Sequence, residues 1–271
     1  MDKHFELTDK FIINAFGIKL LQIKCTRKIK HADVGDLGGY IEKEDNLSGD
    51  AWVSGNAKVS GNAKVSGNAK VSGNAQVYGN AQVSGNAKVC GDAQVSGDAK
   101  VSGDAWVCGD AQVSGNAKVY DDAWVCGHAK VSGDAKVCGD AKVYDDAWVC
   151  GDAKVSGDAK VYGDAQVYGN AQVYGNAQVS GNAKVSGNAQ VSGDAKVSNN
   201  NEHCGFDCFG SANRHTHAYK TQSGKVEIIC GCFRGSIEEF EEQVKKTHQG
   251  NEFERQYMAI AEVIKIKLGL K

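Results

Sequence analysis

The side chains best suited to chemistry are the cysteines and histidines near the C-terminus. They are His203, Cys204, Cys208, His215, His217, Cys230 and Cys232. Thiolates and imidazoles are the ligands that Zn²⁺ prefers in proteins. If residues 223–224 form a two-residue hairpin loop, His215 lies opposite Cys232. The same register places His217 opposite Cys230, so all four side chains are predicted on one face of the hairpin.

A zinc site in this region would take its ligands from six of these side chains. The candidates are Cys204, Cys208, His215, His217, Cys230 and Cys232. Against this hypothesis, the chain has no Cys-x-x-Cys pair, and four ligands on a flat hairpin do not converge tetrahedrally without Cys204 or Cys208. The alternative is that the cysteines are buried and pack beneath a helix. We therefore expect no cofactor, with a zinc ion in this region as the alternative.

A repeat of six residues dominates the rest of the chain and must position its other side chains. A valine stands at every sixth position from Val53 to Val197, and an alanine precedes each valine by two residues. Ile41 and Leu47 continue the same register towards the N-terminus. The string Ala-x-Val has the period of two that is typical of a strand, and the following Gly-Asn or Gly-Asp tolerates a turn with positive φ. One short strand and one corner in every six residues predict a narrow all-β solenoid.

The hexad Val-x-Gly-Asn-Ala-x resembles the hexapeptide repeat of left-handed parallel β-helices. The resemblance implies that three hexads make one triangular coil, so the array would form about nine coils. At a strand spacing of ~4.8 Å the prism would be roughly 40 Å long. The left-handed winding is implied by the resemblance alone, and a right-handed solenoid is the alternative.

Three regions follow from the change in composition along the chain. Residues 1–40 are predicted to form an N-terminal β cap with a hairpin, and residues 41–198 to form the β-helix. Residues 199–271 are predicted to form a small α+β cap with a hairpin and two helices. Ser236 and Glu239 form a capping box for the first of these helices. Caps are needed because the open ends of a solenoid expose core residues and unpaired strand edges.

On an 18-residue coil, outward side chains from successive coils stack into columns. One column contains Trp106 and Trp124 in adjacent coils, with Lys88 and Lys142 on either side of them. Tyr144 and Tyr162 belong to the column beside it. This aromatic and basic face could stack a nucleotide base or accept the apolar patch of a partner protein. The alternative is mutational drift in an amplified repeat, because the near-identical segments 120–131 and 144–155 indicate a duplication of 24 residues.

Both flanks of the array resemble those of hexapeptide-repeat proteins carried by bacteriophages and prophages. The resemblance rests on "FELTDKFIINAFGIKLLQIKC" near the N-terminus and "CGCFRGSIEEFEEQVKKTH" near the C-terminus. It implies a viral setting, and hence the cytoplasm of a host cell, but no established activity. In those phage proteins threonine or aromatic residues often stand where His215 and His217 stand here, which weakens the zinc hypothesis.

These features leave three hypotheses for the function of the chain. We favour a non-catalytic binding solenoid that captures a host protein or a small nucleotide-like molecule, with a role against host defence as one setting. The alternative is an enzyme of the hexapeptide acyltransferase kind, which would need a histidine base and a loop that walls off the site. The array has no inserted loop, and its one histidine, His128, stands at a corner where Asn or Asp stands in other hexads. A spacer or polymer-forming protein is the third hypothesis.

Charge and composition exclude several partners. The formal net charge is −2, and the array contains no arginine, which is the usual ligand of phosphates and base edges, so we expect no binding to duplex nucleic acid. The N-terminus lacks the apolar core of a signal peptide, and no apolar run approaches the ~18 residues of a membrane span. We expect a soluble, cytoplasmic protein with reduced cysteines and no membrane partner. A dimer or trimer of the chain is compatible with these features.

Overall fold

Each hexad of the array forms one two-residue strand and one corner. A computed structural model describes residues 3–270. In it, 25 two-residue strands (β4 to β28) follow one another from Trp52–Val53 to Lys196–Val197. Every third strand pairs in parallel with the one a coil away, which produces three sheets along one rod. The expectation of a β-solenoid with about nine coils is confirmed.

The short strands divide among the three sheets by their position in the coil. The nine-stranded sheet consists of Trp52–Val53, Lys70–Val71, Lys88–Val89, Trp106–Val107, Trp124–Val125, Lys142–Val143, Lys160–Val161, Gln178–Val179 and Lys196–Val197. The eight-stranded sheet consists of Lys64–Val65, Gln82–Val83, Lys100–Val101, Lys118–Val119, Lys136–Val137, Lys154–Val155, Gln172–Val173 and Gln190–Val191. The eleven-stranded sheet contains Lys58–Val59, Gln76–Val77, Gln94–Val95, Gln112–Val113, Lys130–Val131, Trp148–Val149, Gln166–Val167 and Lys184–Val185, together with three strands of the N-terminal region.

The core of the rod is a ladder of valines and alanines that are almost wholly removed from solvent. Val107 pairs with Val125 and Trp106 with Trp124, which fixes a register of 18 residues between coils. The backbone closes each coil onto the next, since the Trp124 amide donates to the Ala141 carbonyl at 2.9 Å. Because the same interval separates all coils, residues of equal phase stack in straight columns.

The corners require a left-handed backbone, which explains the glycine that nearly every hexad has at this position. Gly133 has φ +68°, and a Cβ atom there would lie 3.0 Å from the amide nitrogen of Gly151 in the next coil. Asp121 and Asp145 take this position in two hexads, with φ 61° and 58°. Aspartate enters the left-handed region more readily than most residues because its short side chain bonds locally. In addition, the Asp121 carboxylate accepts from the Gly139 amide of the next coil at 3.3 Å.

The N-terminal cap extends the eleven-stranded sheet beyond the first coil. β1 (Phe5–Ile13) and β2 (Lys19–Cys25) pair antiparallel, which confirms the predicted hairpin. β3 (Leu37–Ile41) pairs antiparallel with β2 and parallel with Lys58–Val59. A 3-10 helix (Glu44–Asn46) follows. The chain thus passes from the cap into the first coil with its strands already in register.

The C-terminal cap is a four-stranded antiparallel sheet with two helices on one face. Its strands are β29 (His203–Phe209), β30 (Arg214–Lys220), β31 (Val226–Cys230) and β32 (Phe233–Gly235), in that order. The helices are α1 (Ile237–His248) and α2 (Glu252–Leu268). The predicted capping box is confirmed, because Ser236 and Glu239 bond each other's backbone amides.

Alternate side chains of the cap sheet face two different cores. Tyr219 and Ile229 belong to the core of the rod and close its last coil. Ala218, Ile228 and Cys230 belong to a second core beneath the helices. Neither helix within residues 3–270 is long and apolar enough to cross a membrane.

Candidate functional site

The two predicted tryptophans stack on the outside of the nine-stranded sheet. The rings of Trp106 and Trp124 have centroids 5.4 Å apart and an interplanar angle of 10°. Lys88 and Lys142 occupy the coils on either side, as the 18-residue period predicts. We call the outward surface formed by Lys88, Trp106, Trp124, Lys142, Tyr144 and Tyr162 the aromatic face.

Both outer faces of the tryptophan stack are covered by lysines. Lys88 Nζ lies 5.5 Å from the ring centre of Trp106, and Lys142 Nζ lies 5.3 Å from that of Trp124. Such contacts between a cation and an aromatic ring contribute about 0.5–1 kcal/mol at exposed sites. The solvent therefore meets the edges of the rings, and Trp106 keeps 41% of its surface exposed. A nucleotide base could stack here only by displacing a lysine or separating two coils.

A second column of thiols and phenols supports the indoles from the side. The Trp106 indole donates to Cys90 Sγ at 3.1 Å, and that of Trp124 donates to Cys108 Sγ at 3.2 Å. Further along, Tyr144 and Tyr162 stack with centroids 5.0 Å apart and an interplanar angle of 1°. These contacts fix the orientation of the aromatic rings, so the face is rigid before any partner arrives.

Two cysteines of this column, Cys108 and Cys126, are poor nucleophiles. Burial, followed by the neighbouring Cys108, raises the pKa of the Cys126 thiol to about 11. Burial likewise raises the pKa of the Cys108 thiol. Because the reactive species is the thiolate, both groups are protonated at neutral pH and serve as packing and hydrogen-bonding groups. All ten cysteines, each within the described part of the chain, are free thiols.

Acidic rows run along both long edges of the aromatic face. One row, two residues before the tryptophan column, consists of Asp104, Asp122, Asp140 and Asp158. The other row, two residues after the thiol column, consists of Asp92, Asp110, Asp146 and Asp164, with His128 between the second and third. Within residues 3–270, the one ion pair these groups form joins His128 Nδ1 to Asp110 Oδ2 at 3.4 Å. The face is therefore apolar and basic in its middle and acidic at its rims.

The other two tryptophans occupy different environments. Trp52 lies in the same column as Trp106, but it is only 2% exposed because the N-terminal cap covers it, with the ring of His4 6.3 Å away. The 18-residue period of the sequence predicts Trp52 on the outward surface with Trp106, and that prediction is wrong. Trp148 lies on the eleven-stranded sheet between Lys130 and Gln166, with 44% of its surface exposed. It is as accessible as Trp106 but belongs to another side of the rod.

His128 stands at an open corner. Its side chain is mostly exposed, and its ring contacts the carboxylate of Asp110. The adjoining surface is a shallow groove lined by Lys130, Trp148 and Asp164 among others. The strands continue without an inserted segment between Lys118–Val119 and Lys136–Val137, so no loop of the array walls off the histidine.

The C-terminal hairpin differs from its predicted register by one residue. Thr216 pairs with Cys230, and His217 pairs with Ile229. The loop has three residues between Thr221 and Lys225 rather than two, with Gly224 at φ 78°. Since side chains alternate between the faces of a strand, a shift of one residue sends His217 and Cys230 to opposite faces. The prediction that these two side chains share a face is wrong.

The histidines meet one another at the junction with the last coil. His203 Nδ1 lies 3.1 Å from His217 Nε2, and His217 Nδ1 lies 2.8 Å from the Gln190 carbonyl oxygen. Burial lowers the pKa of His217 to about 3, so this imidazole is neutral at pH 7. His215 bonds the carboxylate of Asp207 at 2.7 Å. These contacts hold the cap sheet on the end of the rod.

The cysteines of the predicted zinc site are dispersed. Cys230 lies beneath the helices and accepts a hydrogen bond from Thr216, and Cys204 lies on the same side of the sheet. Cys208 and Cys232 are exposed. In residues 3–270, no group of three or more His, Cys, Asp or Glu side chains is placed to hold a metal ion. The six candidate ligands are thus split between two faces and do not fit a zinc ion.

One known family of repeats matches parts of the array. The model of the YdcK beta solenoid repeat matches residues 75–91, 93–109, 111–127, 165–181, 171–187 and 177–193. The chain is a repeat β-solenoid protein. The matched segments include both tryptophans of the aromatic face and lie wholly within the rod. A search of curated proteins gives no match to the chain.

Reasoning from the sequence missed one surface of this solenoid protein. On the C-terminal cap, Phe209, Val263 and Ile266 are exposed. The signal in the sequence was an apolar stripe in the second helix that its buried residues do not explain, with Ala259, Val263 and Ile266 spaced by four and three residues.

Proposed function

We propose that the chain is a non-catalytic binding solenoid whose aromatic face captures a partner protein. The observation that carries this proposal is the pre-oriented stack of the exposed Trp106 on the partly buried Trp124, held on a rigid sheet. Tryptophan is enriched among the residues that dominate protein interfaces, because it buries a large apolar area with few rotatable bonds. An exposed indole without a partner is costly in water, and here the exposed Trp106 stands beside a second indole, Trp124, that is only partly buried.

The geometry favours a protein over a nucleotide as the ligand. The flat surfaces of both indoles are already covered by Lys88, Lys142 and each other, which leaves no ring face for a base. The two aspartate rows would also repel phosphate groups, including those of duplex nucleic acid. An apolar patch with a basic rim complements the face in both shape and charge.

The dimensions of the face suit a single protein surface. From Lys88 to Tyr162 the aromatic face spans five coils, which corresponds to about 19 Å at the usual strand spacing. A standard interface has a core of clustered anchors surrounded by a polar rim, and the two aspartate rows would supply that rim. By the resemblance of both flanks to phage proteins, we place the partner in the cytoplasm of an infected cell, where capture would counter a host defence.

Affinity capture with matched tryptophan variants tests the proposal. The baits are the wild-type protein, Trp106→Ala/Trp124→Ala and Trp148→Ala, incubated with host-cell lysate and compared by quantitative mass spectrometry. We expect a protein enriched on wild type and on Trp148→Ala but lost with the double variant. That protein should then bind in purified form, with an affinity that falls as salt rises, because the aspartate rows contribute.

Two outcomes would overturn the proposal. Equal capture by all three baits would exclude the aromatic face as the binding surface. Tight calorimetric binding of a nucleotide that the double variant abolishes would show that the ligand is the small molecule and that the protein partner is wrong.

A further inference from the structure

Three cysteines follow one another along the thiol column beside the tryptophan stack. Cys90, Cys108 and Cys126 occupy successive coils, and each is a half-buried free thiol. Their backbones are in register, because the Cys90 amide donates to the Val107 carbonyl and the Cys108 amide donates to the Val125 carbonyl, both at 2.9 Å. The backbone positions of adjacent thiols are therefore one strand spacing apart, about 4.8 Å. The rod thus holds three thiols in a line at a fixed interval.

The middle thiol of this line accepts two hydrogen bonds. The Trp124 indole donates to Cys108 Sγ at 3.2 Å. The Cys126 thiol also donates to Cys108, so these two sulfur atoms are direct neighbours. A donor aimed at a sulfur stabilises the thiolate once its proton leaves, as the outer hydrogen bonds of metal sites do. Cys108 therefore has both a second thiol beside it and a donor that supports its anionic form.

The number and type of ligands select the ion that this pair of thiols could bind. Within residues 3–270, Cys108 and Cys126 belong to no group of three or more His, Cys, Asp or Glu side chains that could hold a metal ion. Zn²⁺, which takes four ligands, and Ca²⁺ or Mg²⁺, which take oxygen ligands, therefore do not fit. Thiolates select soft ions, and Cu⁺ is the soft ion that two thiolates can bind in line. The pair suits Cu⁺ both in ligand type and in ligand number.

We propose that Cys108 and Cys126 bind one Cu⁺ ion between their sulfur atoms, with the Trp124 indole as the outer donor to Cys108. Both thiols lose their protons to solvent as two Cu–S bonds form, and neither the metal nor the sulfur changes oxidation state. The neutral thiol pair becomes a complex with a single negative charge, which the nearby ammonium group of Lys142 offsets. The site lies beside the tryptophan stack and does not depend on capture of a protein by the aromatic face.

Anaerobic titration of the full chain with Cu⁺, in competition with a chromophoric chelator, tests the site. The reference protein carries Cys208→Ser and Cys232→Ser, because these two cysteines are exposed and could bind Cu⁺ themselves. In this background Cys108→Ser removes one ligand. Cys150→Ser is the matched control, since Cys150 is also half-buried and follows a tryptophan strand but has no cysteine at the equivalent position of either adjacent coil. Serine stands at this position in most hexads, so both variants should keep the fold.

The affinity for Cu⁺ should depend on the thiol pair, on its indole donor and on pH. We expect Cys108→Ser to raise the Cu⁺ dissociation constant at least about a hundredfold, because a single thiolate remains. Cys150→Ser should leave the constant unchanged. Trp124→Phe should raise it about tenfold, since it keeps an aromatic ring but removes the donor to Cys108. Because binding releases two protons, the affinity should rise about a hundredfold for each pH unit below the thiol pKa values.

The proposal would be overturned by any of three results. The first is a reference protein that binds Cu⁺ no more tightly than Cys108→Ser does. The second is a loss of affinity in Cys150→Ser as large as that in Cys108→Ser, as expected if Cu⁺ binds any thiol of the rod. The third is binding of Zn²⁺ as tight as that of Cu⁺ and equally lost in Cys108→Ser, because two ligands would not hold that ion.

Discussion

Replacing one core valine measures how tightly the rod is packed. Val125 is fully buried and lies between Val107 and Val143 in the valine ladder. The substitution Val125→Ala removes two methylene equivalents from an apolar environment, which costs about 1.6 kcal/mol at ~0.8 kcal/mol each. This figure is the transfer contribution alone.

The neighbours of Val125 cannot move in to fill the space. The backbone on either side is held by the bond from Trp124 to the Ala141 carbonyl at 2.9 Å and by that from Cys126 to the Val143 carbonyl at 3.0 Å. A cavity that does not collapse adds to the transfer cost, here by about 1 kcal/mol. We therefore expect Val125→Ala to lower the free energy of unfolding by about 2–3 kcal/mol.

Urea unfolding followed by tryptophan fluorescence provides the assay, because Trp124 reports directly on this coil. Hydrogen exchange of the flanking amides should show the loss concentrated in adjacent coils, since each coil contacts only its neighbours. Lys130→Ala is the control, because Lys130 is exposed on a neighbouring strand and its loss should change stability by less than about 0.5 kcal/mol. A loss for Val125→Ala below about 1 kcal/mol would refute the packing argument.

Three further predictions concern a corner, a helix cap and a buried histidine. Gly133→Ala should cost about 1–2 kcal/mol in thermal unfolding, because φ is +68° and the new Cβ would crowd the backbone of the next coil. Ser236→Ala should cost about 1 kcal/mol by removing the bond to the Glu239 amide, with loss of helical ellipticity from α1 on heating. The pKa of His217 falls to about 3 on folding, so below the unfolded value of ~6.5 the unfolded chain takes up a proton that the folded chain does not. Stability of the C-terminal cap should be complete above that pH and be lost progressively towards pH 3, and a His217→Gln variant should flatten this dependence in hydrogen exchange of β30.

The strands and outward columns of the array could be predicted almost entirely from its amino-acid sequence. A period of six with Ala-x-Val specifies one buried face per strand, and three strands per coil stack residues 18 apart. Trp106 therefore met Trp124, and Lys88 and Lys142 flanked them, as the columns predicted. The reason is that a solenoid makes sequence separation a direct measure of distance along the rod.

The caps could be predicted as elements but not in their detail. Both hairpins and the capped helix were foreseen, yet the register of the C-terminal hairpin was not, because it depends on whether Gln222 joins residues 223–224 in the loop. That single residue separates His217 from Cys230 and disperses the candidate zinc ligands. The burial of Trp52 was equally hidden, since it depends on where the N-terminal segment folds back.

The sequence by itself determined the repeat, the composition of the core, the outward columns and the positions of the caps, because local periodicity decides all four. Tertiary structure alone decided which columns remain accessible, how lysines cover the indole faces, and that α2 keeps a second apolar stripe after packing on its own sheet. These properties depend on contacts between segments far apart in the chain. Periodicity determines the face on which a side chain lies. Tertiary packing determines whether another segment of the chain covers that side chain.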